Sequence, residues 1–196
     1  ILVRFGLTLA IILYPPMNQR PNTQQGFTLI ETLVVLSILV IIGMIAIPAY
    51  DSLMRRYESQ MVGRYVQEAL RRAKIESALH QKDVIICPIN TLGVCDRFGQ
   101  SGLMVFIDKN KNNRKDDSDA LVLKESFELK YGMLSMTVAL HRHYIKFMGD
   151  NAKPRGYMGN VRYCSLNGDA ALSHQTTINM HGLSRIENGD VTKLGC

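Results

Sequence analysis

Residues equipped for chemistry are few and widely scattered. Glu31 is the only charge in the apolar run FTLIETLVVLSILVIIGMIAIPA, residues 27–49. A lone carboxylate in lipid costs on the order of 2.5–3.5 kcal/mol on insertion scales, so it calls for a partner. A free amine on a chain cut just before Phe27 is a natural one. Four cysteines, Cys87, Cys95, Cys164 and Cys196, all follow the apolar run. Their even number fits disulfides in an oxidising compartment, with three connectivities open. No Cys-x-x-Cys pair and no nearby histidine suggests zinc. The expected complement of metals and cofactors is none.

Residues 108–119, DKNKNNRKDDSD, place oxygen donors at alternate positions in the manner of a calcium loop. The sixth position is Asn rather than Gly, the terminal bidentate Glu is missing, and four basic residues interrupt the acids. The segment therefore reads as a solvated hairpin loop. His80, His141, His143, His174 and His181 read as surface side chains, with His141 and His143 on one face of a strand. Ser37, Ser165 and Ser173 lack a nucleophile-elbow context. With no catalytic constellation, an enzyme is not expected.

The elements around these residues start with a membrane helix. Residues 27–49 would span ~34 Å as a helix, enough for a bilayer core of about 30 Å. Pro48 removes one helical hydrogen bond near the end of the run and invites a kink or local loosening. The helical period continues over residues 50–82. Met54, Tyr57, Met61, Tyr65, Ala69 and Ala73 form a stripe there, and Arg55, Arg56, Glu58, Arg64, Glu68, Arg71 and Arg72 lie mostly off it. From Asp83 the period becomes that of strands, expected at 84–87, 103–107, 121–129, 134–140, 144–147, 161–165 and 176–180. A long helix followed only by strands indicates an α+β domain, the helix covering one face of an antiparallel sheet.

At 196 residues, 46% hydrophobic and 20% charged, the chain suits one domain plus an appendage. The expected partition is 1–26 leader, 27–49 transmembrane helix, 50–82 amphipathic continuation and 83–196 extracytoplasmic β domain with two disulfides. Residues 1–16 end in Pro15-Pro16 without a small-residue cleavage site, so they read as sequence upstream of a start at Met17, with 17–26 as the polar leader. The chain has 23 basic and 17 acidic residues; losing Arg4 and Arg20 with the leader leaves 21 basic, a net charge of +4. That excess permits contact with DNA or acidic lipid without requiring it.

Gly26-Phe27-Thr28-Leu29-Ile30-Glu31, followed by the long apolar run, resembles the processing site of type IV prepilins. The resemblance implies cleavage after Gly26 and methylation of Phe27 by a prepilin peptidase. It also implies pairing of Glu31 with the terminal amine of a neighbouring subunit during assembly. The layout after Gly26 is similar to the GspH/FimT group of minor pilins and pseudopilins. Its landmarks are ALRRAKIESA at 69–78, VIICP at 84–88, Cys95, GLMVFID at 102–108 and INMHGLSR at 178–185. The implied fold is type IV pilin-like.

Among the connectivities, Cys87 with Cys95 and Cys164 with Cys196 is preferred, closing a short loop and stapling the last residues. Chain-entropy estimates give about 2.5 and about 3.5 kcal/mol respectively. Arg142, Lys146, Lys153, Arg155, Arg162, Arg185 and Lys193 make the last third basic. The FimT branch resembles DNA-binding pilins with a Gly-Arg-x-Arg motif. Here Gly182-Leu183-Ser184-Arg185 keeps the second arginine and replaces the first. Arg185, Lys193, Arg155 and Arg162 are the candidate contacts to double-stranded DNA.

Three functions compete. The first is a FimT-like minor pilin in a type IV pilus. The second is a GspH-like pseudopilin of type II secretion, and the third a membrane-tethered periplasmic binding protein or enzyme. The expected partners are the prepilin peptidase, other pilins or pseudopilins, the inner membrane and, for the first reading, DNA. The expected location is the inner membrane, single-pass with a periplasmic domain, and then a filament.

Overall fold

Helix α1 runs from Leu29 to His80, 52 residues, and its assignment passes through Pro48 without a break. It starts where Thr28 caps it: Thr28 Oγ1 accepts the backbone N–H of Glu31 at 3.3 Å. It stops at Gln81, whose φ of 52° leaves the right-handed region. Ser77 Oγ donates to the carbonyls of Lys82 (3.1 Å) and Met148 (3.0 Å) and ties that end to the domain. The computed structural model describes residues 27–189 and 191–196. The expected leader, with Gly26 and Met17, lies outside the described residues.

The chain divides into one unit ending at Ile45 and a second, Ala46–Cys196. In the first, the side chains of α1 are exposed almost without exception; the whole helix, Leu29–His80, is long and apolar enough to cross a membrane. In the second, Val62, Val66, Ala69, Leu70 and Ala73 of α1 are buried at helical spacing.

After the helix, as expected, come antiparallel strands; among the described residues eight of them form two sheets. The first has the order β3-β2-β1-β5, with β1 Asp83–Ile89, β2 Gly102–Asp108, β3 Ala120–Ser126 and β5 Ile145–Phe147. The second has the order β4-β6-β7-β8, with β4 Gly132–Val138, β6 Gly159–Ser165, β7 His174–Ile178 and β8 Ser184–Asn188. Helix α2, Val191–Leu194, follows.

Alternation of side chains sorts the strands by face. Val84 and Ile86 of β1 and Leu103, Val105 and Ile107 of β2 join the α1 residues in the main core, which also takes Met136, Phe147, Val161 and Ile178. The opposite face of β1 and β2 is buried too, with Ile85, Cys87, Ile89, Met104 and Phe106 in a second cluster. Each such side chain fully buried contributes roughly 1.5–3 kcal/mol. Sheet two buries one face only, so β4, β6 and β7 alternate between covered and open positions.

The strands depart from expectation in places. Strand β8 was not expected, because Ser184–Asn188 (SRIEN) carries one apolar residue and no alternation. Strands β3 and β4 end at Ser126 and Val138, short of the expected 129 and 140, and β7 lies two residues before the expected 176–180. His141 and His143 do not share a strand: His141 ends a 3-10 turn, Ala139–His141, and His143 lies in the segment before β5.

Candidate functional site: the amino-terminal segment and the outer cations

Thr28 and Glu31 are three residues apart, the spacing of a helix capping box, so the hydroxyl at the cap meets the N–H of the first-turn glutamate. That position also places the Glu31 carboxylate at the positive end of the helix dipole. Phe27 lies just before the helix, 80% exposed. The Glu31 side chain has no hydrogen-bond or ion-pair partner among the described residues. The segment thus presents an exposed aromatic, an unpaired carboxylate and an apolar rod to whatever surrounds it.

The four candidate DNA contacts are not alike. The Arg185 side chain on β8 is 82% exposed, with Glu187 Oε1 at 3.5 Å from its Nε. Lys193, on α2, is exposed. Arg155 is paired with Asp150. Arg162 is committed to the fold: it donates to the carbonyls of Leu194 (2.7 Å) and Gly195 (3.1 Å) and to Thr137 Oγ1 (2.9 Å). Strand register puts Arg162 opposite Gln175 and Gln175 opposite Glu187, while Thr177 opposes Arg185. Arg162 and Arg185 therefore share the outer face of sheet two, with Glu187 between them. The basic face is narrower than the sequence implied. Lys146, another of its residues, is buried against Asp83 (3.4 Å) and Asn113 Oδ1 (2.9 Å).

In the 108–119 loop the carboxylates turn onto the loop's own groups. Asp108 accepts the N–H groups of Asn112 (3.1 Å) and Asn113 (3.0 Å), and Asp119 those of Lys109 (2.9 Å) and Asp116 (3.1 Å). Hydrogen bonds from Ser118, then Asn110 and Asn112, hold the Asp116 carboxyl well below the usual carboxylate range. Among the described residues no group of three His, Cys, Asp or Glu is arranged to hold a metal.

Two buried polar residues escaped sequence reasoning. Glu58, expected off the buried stripe, is 7% exposed. It accepts the N–H groups of Lys130 (2.8 Å) and Tyr131 (3.1 Å) and the hydroxyl of Tyr163 (2.8 Å). His174, expected at the surface, is equally buried and stacks on Tyr163 with ring centroids 5.4 Å apart. Its Nδ1 lies 3.3 Å from Ser59 Oγ, whose proton goes to the Leu172 carbonyl at 2.6 Å. Nδ1 is therefore the donor in that pair. Burial pushes the His174 imidazole below its ordinary pKa, against a smaller opposing effect of the Leu172 backbone. Burial, then Glu58, pushes the Tyr163 hydroxyl far above its ordinary value. Helical period alone gave a hint for Glu58, since it lies four residues before the buried Val62. Nothing in the sequence distinguished His174 from the other histidines.

The structure joins Cys87 to Cys95 and Cys164 to Cys196. The first bridge closes the turn after β1, and the second holds α2 against the outer face of β6.

The family profile of the prokaryotic N-terminal methylation motif matches residues 21–47. Together with that segment, the long helix and the antiparallel domain give the chain a type IV pilin-like fold. A solved structure of similar fold is the type IV minor pilin FimU of Pseudomonas aeruginosa (strain PAO1), crystallised in space group P21. It is 15% identical with a TM-score of 0.50, over 69% of this chain and 92% of that chain. A second crystal form of FimU, P65, aligns at 12% identity and a TM-score of 0.44, over 65% of this chain and 91% of that chain. No curated protein sequence matches the chain.

Proposed function

We propose that the chain is a FimT-like minor pilin, cleaved after Gly26 and methylated on Phe27 by a prepilin peptidase, and carried into a type IV pilus by α1. The observation that carries this reading is the exposed apolar half of α1 with one unpaired carboxylate, Glu31, in its first turn. Such a rod needs lipid before assembly and other helices after it, because an apolar surface of that size is not left in water. In the membrane it anchors a periplasmic domain in single-pass orientation. In the filament, Glu31 pairs with the terminal amine of a neighbouring subunit. Glu31→Ala is expected to be processed normally yet to be lost from sheared filaments. Normal co-purification of that variant with filaments contradicts the reading.

DNA capture is the finer part of the proposal, and it rests on Arg185, whose side chain is 82% exposed, and on the exposed Lys193. Full-length protein titrated with duplex DNA at two salt concentrations is expected to bind more weakly at the higher salt. Arg185→Ala should lower the affinity and reduce the salt slope by about one unit. Absence of binding at low salt removes DNA from the reading and leaves the filament subunit.

A second reading is a GspH-like pseudopilin of type II secretion. It is favoured by Leu183, an exposed apolar side chain where the DNA-binding motif has its first arginine.

A further inference from the structure

In one turn of the domain the backbone is forced into an unfavourable region with no return inside the fold. Leu140 and His141 are consecutive and both left-handed, with φ of 63° and 58°. The turn is tight: Val138 N–H donates to the Arg142 carbonyl at 3.0 Å, closing a reversal over residues 139–141. Hairpin reversals that need two left-handed residues favour Asn-Gly, because a β-carbon there crowds the following carbonyl. Leucine, with no polar group to bond locally, suits such a position poorly.

Among the described residues this leucine joins no apolar cluster. Its side chain is 78% exposed. A strained position that the surrounding structure nonetheless holds points to function. The turn is also anchored: Ala139 N–H donates to the Met158 carbonyl at 3.0 Å, and Arg142 donates to the Gly156 carbonyl at 3.0 Å while lying 4.4 Å over the Tyr157 ring. Leu140 is thus a rigid apolar knob rather than a mobile tip.

The surroundings describe its partner. The turn continues into Arg142, a half-buried cation between the exposed His141 and His143, and no acidic residue occurs between Glu128 and Asp150. A complementary surface is an apolar notch rimmed by carboxylates. We propose that the 139–141 turn is a docking knob whose Leu140 inserts into such a notch on a neighbouring subunit of the filament. This rests on the filament reading above.

Two variants of the full chain test it, made in a host carrying the chain's own filament system. Leu140→Asn with His141→Gly relieves the backbone and removes the knob. It should raise Tm in detergent by about 4 °C and lower the amount in sheared filaments at least fivefold. Leu140→Ala keeps the left-handed backbone, so its Tm should stay within about 1 °C of the parent while incorporation falls similarly. Parent-level incorporation of both variants, beside a parent chain present in filaments, overturns the knob and leaves the filament reading standing. So does an unchanged Tm in the double variant, since the strain would then be absent. A parent chain missing from filaments overturns the filament reading itself, and the partner with it.

Discussion

Glu58 on α1 and Tyr163 at the centre of sheet two are joined by a hydrogen bond of 2.8 Å between residues 105 apart in sequence. The same carboxylate takes the backbone N–H groups of Lys130 and Tyr131 at the start of β4. One side chain therefore fixes the helix to both the middle and the edge of the sheet. Removing the acceptor leaves the buried Tyr163 hydroxyl and two part-buried backbone N–H groups without it. Glu58→Ala is expected to cost about 3 kcal/mol, and Tyr163→Phe, which leaves the two backbone donors satisfied, about 1–2 kcal/mol. Urea unfolding checks both, and a Glu58→Ala loss below about 0.5 kcal/mol would show the network to be dispensable.

Gly132, at the start of β4, sits against the same tyrosine. A β-carbon there would lie 2.2 Å from Tyr163 Cζ, and the ring is buried with nowhere to retreat. Gly132→Ala should cost about 1–3 kcal/mol through overpacking. It should also weaken the Glu58 contact, so the losses of Gly132→Ala and Tyr163→Phe should not add. Additive losses in a double-mutant cycle would mean the ring accommodates the methyl without moving.

His174, stacked on the other side of this cluster, makes stability depend on acid. Its folded pKa lies below the ordinary 6.5 because burial disfavours the charged ring. The unfolded state therefore takes up a proton near pH 6.5 while the folded state does not. The stabilising contribution is complete above pH 6.5 and is lost as pH falls from there through the folded pKa. The charged groups nearest by contact and position are Glu58, through Tyr163, and Arg64, which shares a cleft with His174. Unfolding free energies measured between pH 7.5 and 5 should fall with pH and flatten in His174→Phe. An equal slope in the variant would assign the acid sensitivity to another group.

Much of the architecture was legible in the sequence because it rests on period and composition. The apolar run, the helical stripe over 50–82, the short apolar runs of β1 and β2 and the alternation in β6 and β7 each report a local backbone state. The polar residues that the fold spends internally were harder to read. Glu58, His174, Lys146 and Arg162 carry letters that usually face water, and only partners distant in sequence cover them. β8 escaped for the converse reason: it is an edge strand with an exposed face, held by β7 rather than by an apolar pattern. The division into two sheets depends on pairings such as β1 with β5, which skip along the chain and leave no local mark.

Arg162 and the Cys164–Cys196 bridge hold the same four-residue helix, α2, and this gives a quantitative expectation. The bridge closes a sequence separation of 32, for which chain entropy gives about 3.5 kcal/mol. The guanidinium independently binds the carbonyls of Leu194 and Gly195, so with the bridge cut it still retains the segment. With Arg162 replaced, the bridge still does so. Cys164→Ser with Cys196→Ser should therefore lose about 3 kcal/mol, and Arg162→Ala about 1–2 kcal/mol. The triple variant should lose less than the sum, because a helix already released cannot be released again. Strict additivity in urea unfolding would mean that Arg162 acts through Thr137 within sheet two and that α2 is held by the disulfide alone.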